Sequence, residues 1–378
     1  MSYAKRAVLL WLGVLAMVSA AAGCRRFSGP VPALGEETIP PGEDVAIAQT
    51  TAIIAEQLAK AYPDSIRPMR RDAHAKAHGC VKARFTVLDS IPGEFRYGVF
   101  TPGAGYDAWV RYSNGNELLR ADSINDARGM AIKLMGVPGE KLLESERDAQ
   151  TQDFVLINHP AFFIKNAIQY VGFQQASALG HSLEYFLNLR HPLESHPREL
   201  RNALELTNQV VGNPLAIQYW SMVPYRLGPD SQAVKYSARP CTPIPNVRPA
   251  DPDPDYLQEA MVATLSAGSA CFDFMVQLQT NARTMPIEDA TVTWDTAHSP
   301  FRVVARLVIP RQQFDSADQM SFCDNLSFTP WHALPVHRPL GGINRARKVV
   351  YQAISEMRHR ANGVPRREPT SFAIIPDI

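Results

Sequence analysis

The sequence predicts an α+β fold in which one antiparallel sheet or barrel carries helical insertions and ends in a helical tail. The prediction rests first on three strand-like segments. Residues 109–113 and 272–278 alternate their side chains between two faces, and residues 301–309 are rich in Val. The last segment ends at Pro310, which cannot donate a ladder hydrogen bond. Strand-like segments resume after the Pro-rich stretch 240–254, so we interpret that stretch as a surface connection within one domain.

The second basis is a set of segments with the apolar spacing of helices. They span residues 51–61, 161–178, 197–211, 255–266 and 343–361. In the first, Ile54 and Leu58 lie on one face, and in the last, Val350 and Ile354 do so. The last segment is also basic, and we expect it to form the C-terminal helix.

The N-terminus has the pattern of an export signal. Lys5 and Arg6 precede an apolar run, residues 7–22, that is short for a membrane span. The run ends in Ala-Ala-Gly before Cys24, as in a bacterial lipoprotein cleavage site. We therefore expect residues 1–23 to be a lipoprotein signal peptide and Cys24 to carry the lipid; the alternative is an ordinary signal peptide cut nearby.

Three regions follow from this interpretation: the signal peptide 1–23, a tether at 24–46 and a domain at 47–378. Arg25 after the lipidated residue favours the outer membrane, so we expect a lipid-anchored protein of the bacterial cell envelope that faces the periplasm. The balance of 38 Lys and Arg against 37 Asp and Glu gives a net charge of +1, which does not indicate a nucleic-acid partner.

Four cysteines follow Cys24: Cys80, Cys241, Cys271 and Cys323. No C-x-x-C pair is present, which argues against zinc and iron–sulfur sites of the usual spacing. Export permits disulfides. Free buried thiols and a disulfide both stay open, and the spacing does not determine the pairing.

Three motifs in chain order carry a resemblance to a known family. They are Arg71-Asp72-Ala73-His74-Ala75-Lys76, Arg111-Tyr112-Ser113, and residues 122–133 with the sequence DSINDARGMAIK. Together they resemble the distal haem pocket of the catalases. The resemblance implies an antiparallel eight-stranded β-barrel of catalase type, a haem b cofactor, and a peroxide substrate.

The resemblance also implies roles for four of these residues. His74 would be the distal base that moves a proton between the two oxygens of a peroxide. Ser113 would hydrogen-bond the imidazole and set its tautomer. Arg71 and Arg111 would hold the haem propionates, since a guanidinium binds carboxylates in bidentate geometry. A rival interpretation, a metal held by His74 and His78 on a helix, is opposed by Gly79.

Downstream, the chain departs from the distal pattern of the family at one position. Catalases carry two consecutive Asn before a Thr-Pro-x-Phe-Phe string, and the first Asn polarises the peroxide. Here the matching residues 156–163 have the sequence LINHPAFF, so Ile157 stands in the place of the first Asn. Asn158 matches the second, and we expect it to serve as the catalytic amide after a small backbone shift; the alternative is that this amide is lost and peroxide turnover is weaker. Phe162 and Tyr170 match aromatic positions that pack near the haem; helix core is their alternative.

The proximal side departs further. Catalases place a Tyr under the iron, four residues after an Arg. In residues 320–332, one alignment frame puts Phe328 at the Tyr position and another puts His332 there. We therefore predict His332 as the axial ligand, since imidazole ligates haem in other proteins. The alternatives are that the iron is held differently, with His337 and Cys323 as further candidates, or that no haem binds. Tyr351 is assigned to the core of the C-terminal helix.

These observations lead to two functional expectations. The first is a haem-dependent peroxide-metabolising protein, either a catalase or peroxidase or an enzyme that converts fatty-acid hydroperoxides. The second is a haem-free catalase-like envelope binding protein without enzymatic activity, and it rests on the missing axial Tyr and its Arg. A homo-oligomer is possible, because catalases usually assemble as tetramers.

Overall fold

The computed structural model describes residues 32–374. The predicted signal peptide 1–23 and Cys24 therefore lie outside the described residues. Within residues 32–374, no helix combines the length and the apolar composition needed to cross a bilayer.

The described residues form nine β-strands. They are β1 Ala77–Val87, β2 Gly105–Asn114, β3 Arg128–Met135, β4 Thr151–Ile157, β5 Tyr219–Trp220, β6 Tyr225–Arg226, β7 Ala233–Pro240, β8 Ala270–Leu278 and β9 Arg302–Ile309. All neighbours pair antiparallel, in the order β5-β4-β3-β2-β1-β9-β8-β7-β6, and β5 also pairs with β7. That last pairing closes eight strands into a barrel with β6 appended, which confirms the predicted architecture.

The barrel interior is a packed apolar core. Alternate residues of each strand point inward, and several are aromatic. The ring centroids of Phe154 and Phe274 are 4.8 Å apart, and those of Phe154 and Tyr236 are 5.1 Å apart. Phe85 lies 5.2 Å from Phe274 in an edge-on arrangement. Since the interior is filled by side chains, a ligand site has to lie outside the barrel wall.

Seven helices of the described chain surround the barrel. They are α1 Glu43–Ala61, α2 Ala167–Ala178, α3 Ser182–Phe186, α4 Pro197–Thr207, α5 Tyr256–Ala267, α6 Ala317–Asn325 and α7 Gly342–Asn362. Helix α1 packs against α2 and α7. Helix α7 ends at Gly363, whose φ of 67° is the left-handed conformation that glycine adopts readily at a helix C-terminus.

Several predicted boundaries shift. Helix α1 begins at Glu43 rather than residue 51, so the predicted end of the tether at 46 lies inside this helix. The cause is an ion pair: the buried Glu43 carboxylate accepts from Arg345 Nη2 at 2.9 Å, which anchors the segment to α7. Helix α2 begins at Ala167 rather than 161, because the Asn166 side chain caps it by accepting from the Gln169 amide.

The four cysteines form two disulfides. Cys80 pairs with Cys323, and Cys241 pairs with Cys271, with Cα separations of 5.5 and 5.3 Å. The first links strand β1 to helix α6, and the second links the end of β7 to β8. The structure therefore decides a pairing that the sequence left open.

Candidate functional site

A cavity lies on the outer face of strands β2, β3 and β4. The centre of a water molecule can reach about 120 Å³ of it. The cavity is bounded by the loop before β1, the outer face of the three strands, residues 327–328, and one face of α7. The lining residues include Arg71, Asp72, His74, Arg111, Ser113, Gly129, Ala131, Val155, Phe328, Val350, Tyr351, Ile354 and Arg358. Four residues predicted from the distal motifs, namely Arg71, His74, Arg111 and Ser113, thus meet in one cavity.

His74 is held in a fixed orientation at this cavity. Its backbone has a φ of 62°, which is uncommon for a residue with a side chain, and its amide donates to the Gly115 carbonyl at 3.1 Å. The imidazole Nδ1 lies 3.0 Å from Ser113 Oγ. A Cβ at Gly129 would come within 2.6 Å of His74 Nδ1, so only glycine leaves room for the ring at this position.

The imidazole of His74 is neutral at ordinary pH. Burial, followed by the nearby Arg111 guanidinium, lowers the pKa of His74 to about 3. A neutral imidazole with Nδ1 engaged by Ser113 can present Nε2 as a proton acceptor. This is the protonation state that a distal base requires.

Three guanidiniums, those of Arg71, Arg111 and Arg358, line the same cavity. Burial and the neighbouring Asp324 shift the pKa of Arg71 to about 10, the burial lowering it and the carboxylate raising it. Burial and Arg71 lower the pKa of Arg358 to about 9, and burial and Arg71 also lower that of Arg111. The pKa shifts show cations that are desolvated and repel one another.

The hydrogen-bonding capacity of these guanidiniums is only partly used. Arg111 Nη2 donates to the His74 carbonyl at 2.8 Å, and Arg358 Nη1 donates to the Asp324 carbonyl at 2.7 Å. The buried Nε atoms of Arg71 and Arg111 have no hydrogen-bond partner. Asp324 Oδ1 lies 4.0 Å from Arg111 Nη2, and Asp324 Oδ2 pairs with Arg70 Nη1. The site therefore carries an excess of buried positive charge that favours an anionic ligand.

Tyr351 on α7 also lines the cavity, on the helix face that includes Val350 and Ile354. Its hydroxyl accepts from Arg347 Nε at 3.2 Å, and the Arg347 guanidinium lies 5.1 Å from the centre of its ring. The pKa of Arg347 is raised, although burial acts to lower it, because the hydroxyls of Tyr351 and Tyr225 favour the charged form. Tyr351 therefore packs against the apolar cluster that includes Val350 and Ile354, as predicted, and in addition it faces the cavity.

The signal that could have located Tyr351 is present in the sequence. Arg347 precedes it by four residues, which is the spacing the catalase resemblance implies for the proximal Tyr and its Arg. On a helix, this spacing places the two side chains on the same face. Residues 320–332, where the alignment frames placed the Tyr, precede the helix that carries this pair.

His332, predicted as the axial ligand, lies outside the cavity lining. Its side chain is fully buried, and its Nε2 is 3.0 Å from Thr151 Oγ1. Its Nδ1 faces the carboxylate of Glu146 at 3.1 Å. The structure therefore does not bring His332 to the cavity, because its imidazole points into a cluster of charged residues. Phe328, the other candidate position, does line the cavity but offers no ligand atom.

Asn158 also lies outside the cavity lining. Its side chain accepts from the Arg128 amide at 2.7 Å and donates to the Leu206 carbonyl at 3.1 Å. The residue is completely buried. Because both ends of its amide are engaged, the structure does not support the catalytic role predicted for it, and its contacts join β3 and β4 to the end of α4.

Phe162 and Tyr170 pack beside the cavity rather than in its lining. Their ring centroids are 6.0 Å apart in an edge-on arrangement. Burial, and then the charge of Asp72, raises the pKa of Tyr170, so its hydroxyl stays neutral. Both rings pack against the main apolar core, as in the alternative that the sequence left open.

The rival interpretation of His74 and His78 as metal ligands on a helix is not supported. His78 lies on β1, and its Nε2 is 2.9 Å from Asn114 Oδ1. Asn114 in turn donates to Asp122 at 2.9 Å. His78 therefore belongs to a buried polar network that fixes the loop before β3.

Solved catalase structures share this architecture. A fungal catalase aligns with a TM-score of 0.60 and 17% identity over 90% of this chain and 69% of its own. Catalase A from Saccharomyces cerevisiae gives 0.59 and 19% over 82% and 63%, and a bacterial catalase gives 0.58 and 16% over 94% and 72%. No protein-family model and no curated protein matches the sequence. The chain therefore has a catalase-like fold, at identities that establish the fold alone.

Proposed function

We propose that this protein binds haem b in the cavity and uses it to metabolise a peroxide. The observation that carries the proposal is the presence of His74, the three guanidiniums and Tyr351 around one cavity. Tyr351 is preceded four residues earlier by Arg347, which donates to its hydroxyl. The haem-free alternative rested on the lack of a Tyr and Arg pair in residues 320–332. The pair formed by Tyr351 and Arg347 argues against that alternative.

The residues around the cavity fit the chemical groups of a haem. The propionates are two carboxylates, which match the surplus of cations from Arg71, Arg111 and Arg358. The two unpartnered Nε atoms of Arg71 and Arg111 supply buried donors for them. Apolar side chains such as Val155 would contact the macrocycle. The Tyr351 oxygen is the atom that would ligate the iron, as in catalases.

When bound, haem supplies redox chemistry at iron, and the chain supplies acid–base chemistry and positioning. His74 is neutral and would accept a proton from the near oxygen of a peroxide and return it to the far oxygen. Such proton transfer contributes about 10²–10⁴-fold in rate. Ser113 holds the imidazole at 3.0 Å from its hydroxyl so that Nε2 stays free. Arg347 donates to the Tyr351 oxygen and would hold that oxygen in position as a ligand.

The test is an absorption spectrum of protein expressed with a haem precursor. We expect a Soret band near ~400 nm, a property of the cofactor. Tyr351→Phe should lose or strongly shift this band, whereas the matched control Tyr106→Phe, on β2 away from the cavity lining, should keep it. A protein that stays colourless with excess haemin would overturn the proposal. A band unchanged in Tyr351→Phe would exclude this ligand.

A second measurement separates the two sides of the haem. His74→Ala should keep the colour of the wild-type protein and lose about 10²–10⁴-fold of peroxide-dependent activity, because it removes the proton acceptor alone. Equal activity in the variant and the wild type would exclude His74 as the base.

The two candidate substrates are hydrogen peroxide and lipid hydroperoxides. Four leucines on the insertion between β4 and β5 are largely exposed: Leu179, Leu183, Leu189 and Leu193. Exposed apolar side chains of this kind favour a lipid-facing surface. A comparison of kcat/KM for hydrogen peroxide and for a fatty-acid hydroperoxide decides between the two classes.

We further propose that the protein acts in the cell envelope, anchored by a lipid on Cys24 after removal of residues 1–23. The sequence Ala-Ala-Gly-Cys supports this proposal. Incorporation of labelled palmitate into wild-type protein, and its loss in Cys24→Ser, would agree with it. A wild-type protein that is unlabelled and stays in the soluble fraction would exclude the anchor.

A further inference from the structure

A cluster of Glu146, His332 and Glu368, hereafter the 146–332–368 cluster, lies beside the cavity wall. The ligand atoms of its three side chains all lie within 4.8 Å of one another. His332 belongs to the loop between α6 and α7, Glu146 to a helical turn before β4, and Glu368 to the segment after α7. Three parts of the chain thus place potential metal ligands at one point.

The direction of the hydrogen bonds around Thr151 determines the tautomer of His332. The Thr151 hydroxyl donates its single proton to Glu368 Oε2 at 2.7 Å. The same hydroxyl oxygen lies 3.0 Å from His332 Nε2, so that nitrogen has to be the donor. The Nδ1 of His332 therefore carries a lone pair and no hydrogen.

This lone pair points at carboxylate oxygens. His332 Nδ1 is 3.1 Å from Glu146 Oε2 and 3.5 Å from Glu368 Oε2. His332 is fully buried, and neither its Nδ1 nor Glu146 Oε2 has a hydrogen-bond partner. These two unpartnered acceptor atoms face each other in a buried space and repel unless a positive charge lies between them.

The geometry fits a small divalent metal. Bonds of about 2.0–2.1 Å in tetrahedral arrangement place ligand atoms roughly 3.3–3.4 Å apart. The distance of 3.1 Å from His332 Nδ1 to Glu146 Oε2 is close to this value, and Glu368 contributes an oxygen within 4.8 Å of both atoms. Imidazole nitrogen and carboxylate oxygen are both ligands of Zn²⁺.

We propose that Glu146, His332 and Glu368 bind a divalent cation of the zinc type, with solvent as a further ligand. Each of the two carboxylates keeps one oxygen that the neighbouring Arg366 and Lys133 do not contact, and this oxygen can bind the metal. Arg366 Nε contacts Glu146 Oε1 at 2.5 Å and Lys133 Nζ contacts Glu368 Oε2 at 2.6 Å, whereas Glu146 Oε2 and Glu368 Oε1 are buried without hydrogen-bond partners. The Thr151 hydroxyl is the outer-shell partner that fixes the His332 tautomer.

The position of the site indicates a structural role. Glu368 lies in the segment after α7, so a metal would fasten this segment to the barrel. The site also adjoins the cavity. Lys133, whose Nζ contacts Glu368, lies on β3 two residues after the lining residue Ala131, so both side chains point to the outer face of the strand. Its Nζ is 5.3 Å from the centre of the Phe328 ring. The metal would therefore brace the wall behind Phe328, and its binding does not depend on haem.

The test is a titration of EDTA-treated mature protein with Zn²⁺ against a chromophoric chelator. We expect about one ion per chain, with affinity that weakens as the pH falls because the ligands have to be unprotonated. Glu146→Gln and Glu368→Gln should each raise the dissociation constant at least ~10-fold. The matched control Glu144→Gln, an exposed residue of the same turn, should leave it unchanged.

Thermal unfolding provides a second readout. Zn²⁺ should raise the Tm of the wild-type protein and of Glu144→Gln but not that of Glu146→Gln. Absence of zinc binding, or binding that is equal in all four proteins, would overturn the proposal. If the Gln variants do not fold, wild-type crystals soaked in Zn²⁺ decide: an anomalous peak beside His332 Nδ1 supports the site, and its absence refutes it.

Discussion

Replacement of Gly129 by Ala tests the construction of the cavity most directly. A Cβ built at this position lies 2.6 Å from His74 Nδ1, 2.7 Å from His74 Cε1 and 2.9 Å from Ser113 Oγ. Gly129 cannot retreat, because its backbone pairs with Ser113 of β2 on one side and with Ile157 of β4 on the other. The imidazole has to move instead, and its contact with Ser113 is lost.

The magnitude follows from two contributions. Overpacking in a filled site costs about 1–3 kcal/mol, and loss of one hydrogen bond costs about 0.5–1.5 kcal/mol. We therefore expect Gly129→Ala to lower the free energy of unfolding by about 2–4 kcal/mol. Peroxide-dependent activity should fall by about the 10²–10⁴-fold expected for a displaced base.

The assay is denaturant unfolding together with initial rates of peroxide consumption. Gly93→Ala is the matched control, because its Cβ would meet no atom within 4 Å. Ser113→Ala removes the hydrogen bond without the steric clash, so it should lower stability less than Gly129→Ala. If Gly129→Ala unfolds within about 0.5 kcal/mol of wild type and keeps its activity, His74 does not occupy the position that the structure gives it.

Three further predictions concern separate parts of the molecule. Cys80→Ser, which breaks the link to Cys323 across 243 residues of sequence, should lower unfolding free energy by about 2–5 kcal/mol; calorimetry that finds no change would argue against this disulfide. Asn158→Ala leaves the Arg128 amide without its acceptor and should cost about 1–3 kcal/mol, while the folded fraction keeps its peroxide activity; loss of activity at unchanged stability would restore the catalytic interpretation. The pKa of His74 is lowered by burial and Arg111 to about 3 from 6.5, so its contribution to stability is present above pH 6.5 and is lost as the pH falls towards 3; His74→Gln should flatten this part of a stability curve measured from pH 7 to pH 4.

The sequence predicted best those elements that are indicated by a pattern of apolar residues within a single segment. Residues 272–278 and 343–361 fall within β8 and α7, because alternation and helical spacing each report a single segment with one buried face. Strand β5 could not be predicted in this way. It has two residues, Tyr219 and Trp220, which are too few to define a period, yet their pairing with β4 and β7 closes the barrel.

The distal half of the site was predictable and the proximal half was not, for a physical reason. His74, Ser113 and Arg111 occur in short motifs whose residue types are unusual in an ordinary strand or loop. Tyr351 lies among Val350 and Ile354 on α7, where the apolar spacing of a cavity-facing helix is the same as that of a core helix. Periodicity therefore could not distinguish an aromatic residue packed in a core from one that faces a ligand site.

The cavity is assembled from segments that are distant in sequence, and its stability depends on a few links between them. The disulfide from Cys80 fixes α6 to β1, the strand that follows His74. Arg71 Nη2 then donates to the carbonyls of Cys323 and Asp324 at 3.2 and 3.1 Å, so the loop that carries His74 is tied to the same helix. Arg358 of α7 donates to the Asp324 carbonyl as well. Arg71 and Arg358, which are proposed to bind propionates, therefore also hold the cavity walls together. Substitution of either residue is expected to change both the stability of the fold and the affinity for the cofactor. Tyr351→Phe, in contrast, tests the loss of the iron ligand alone.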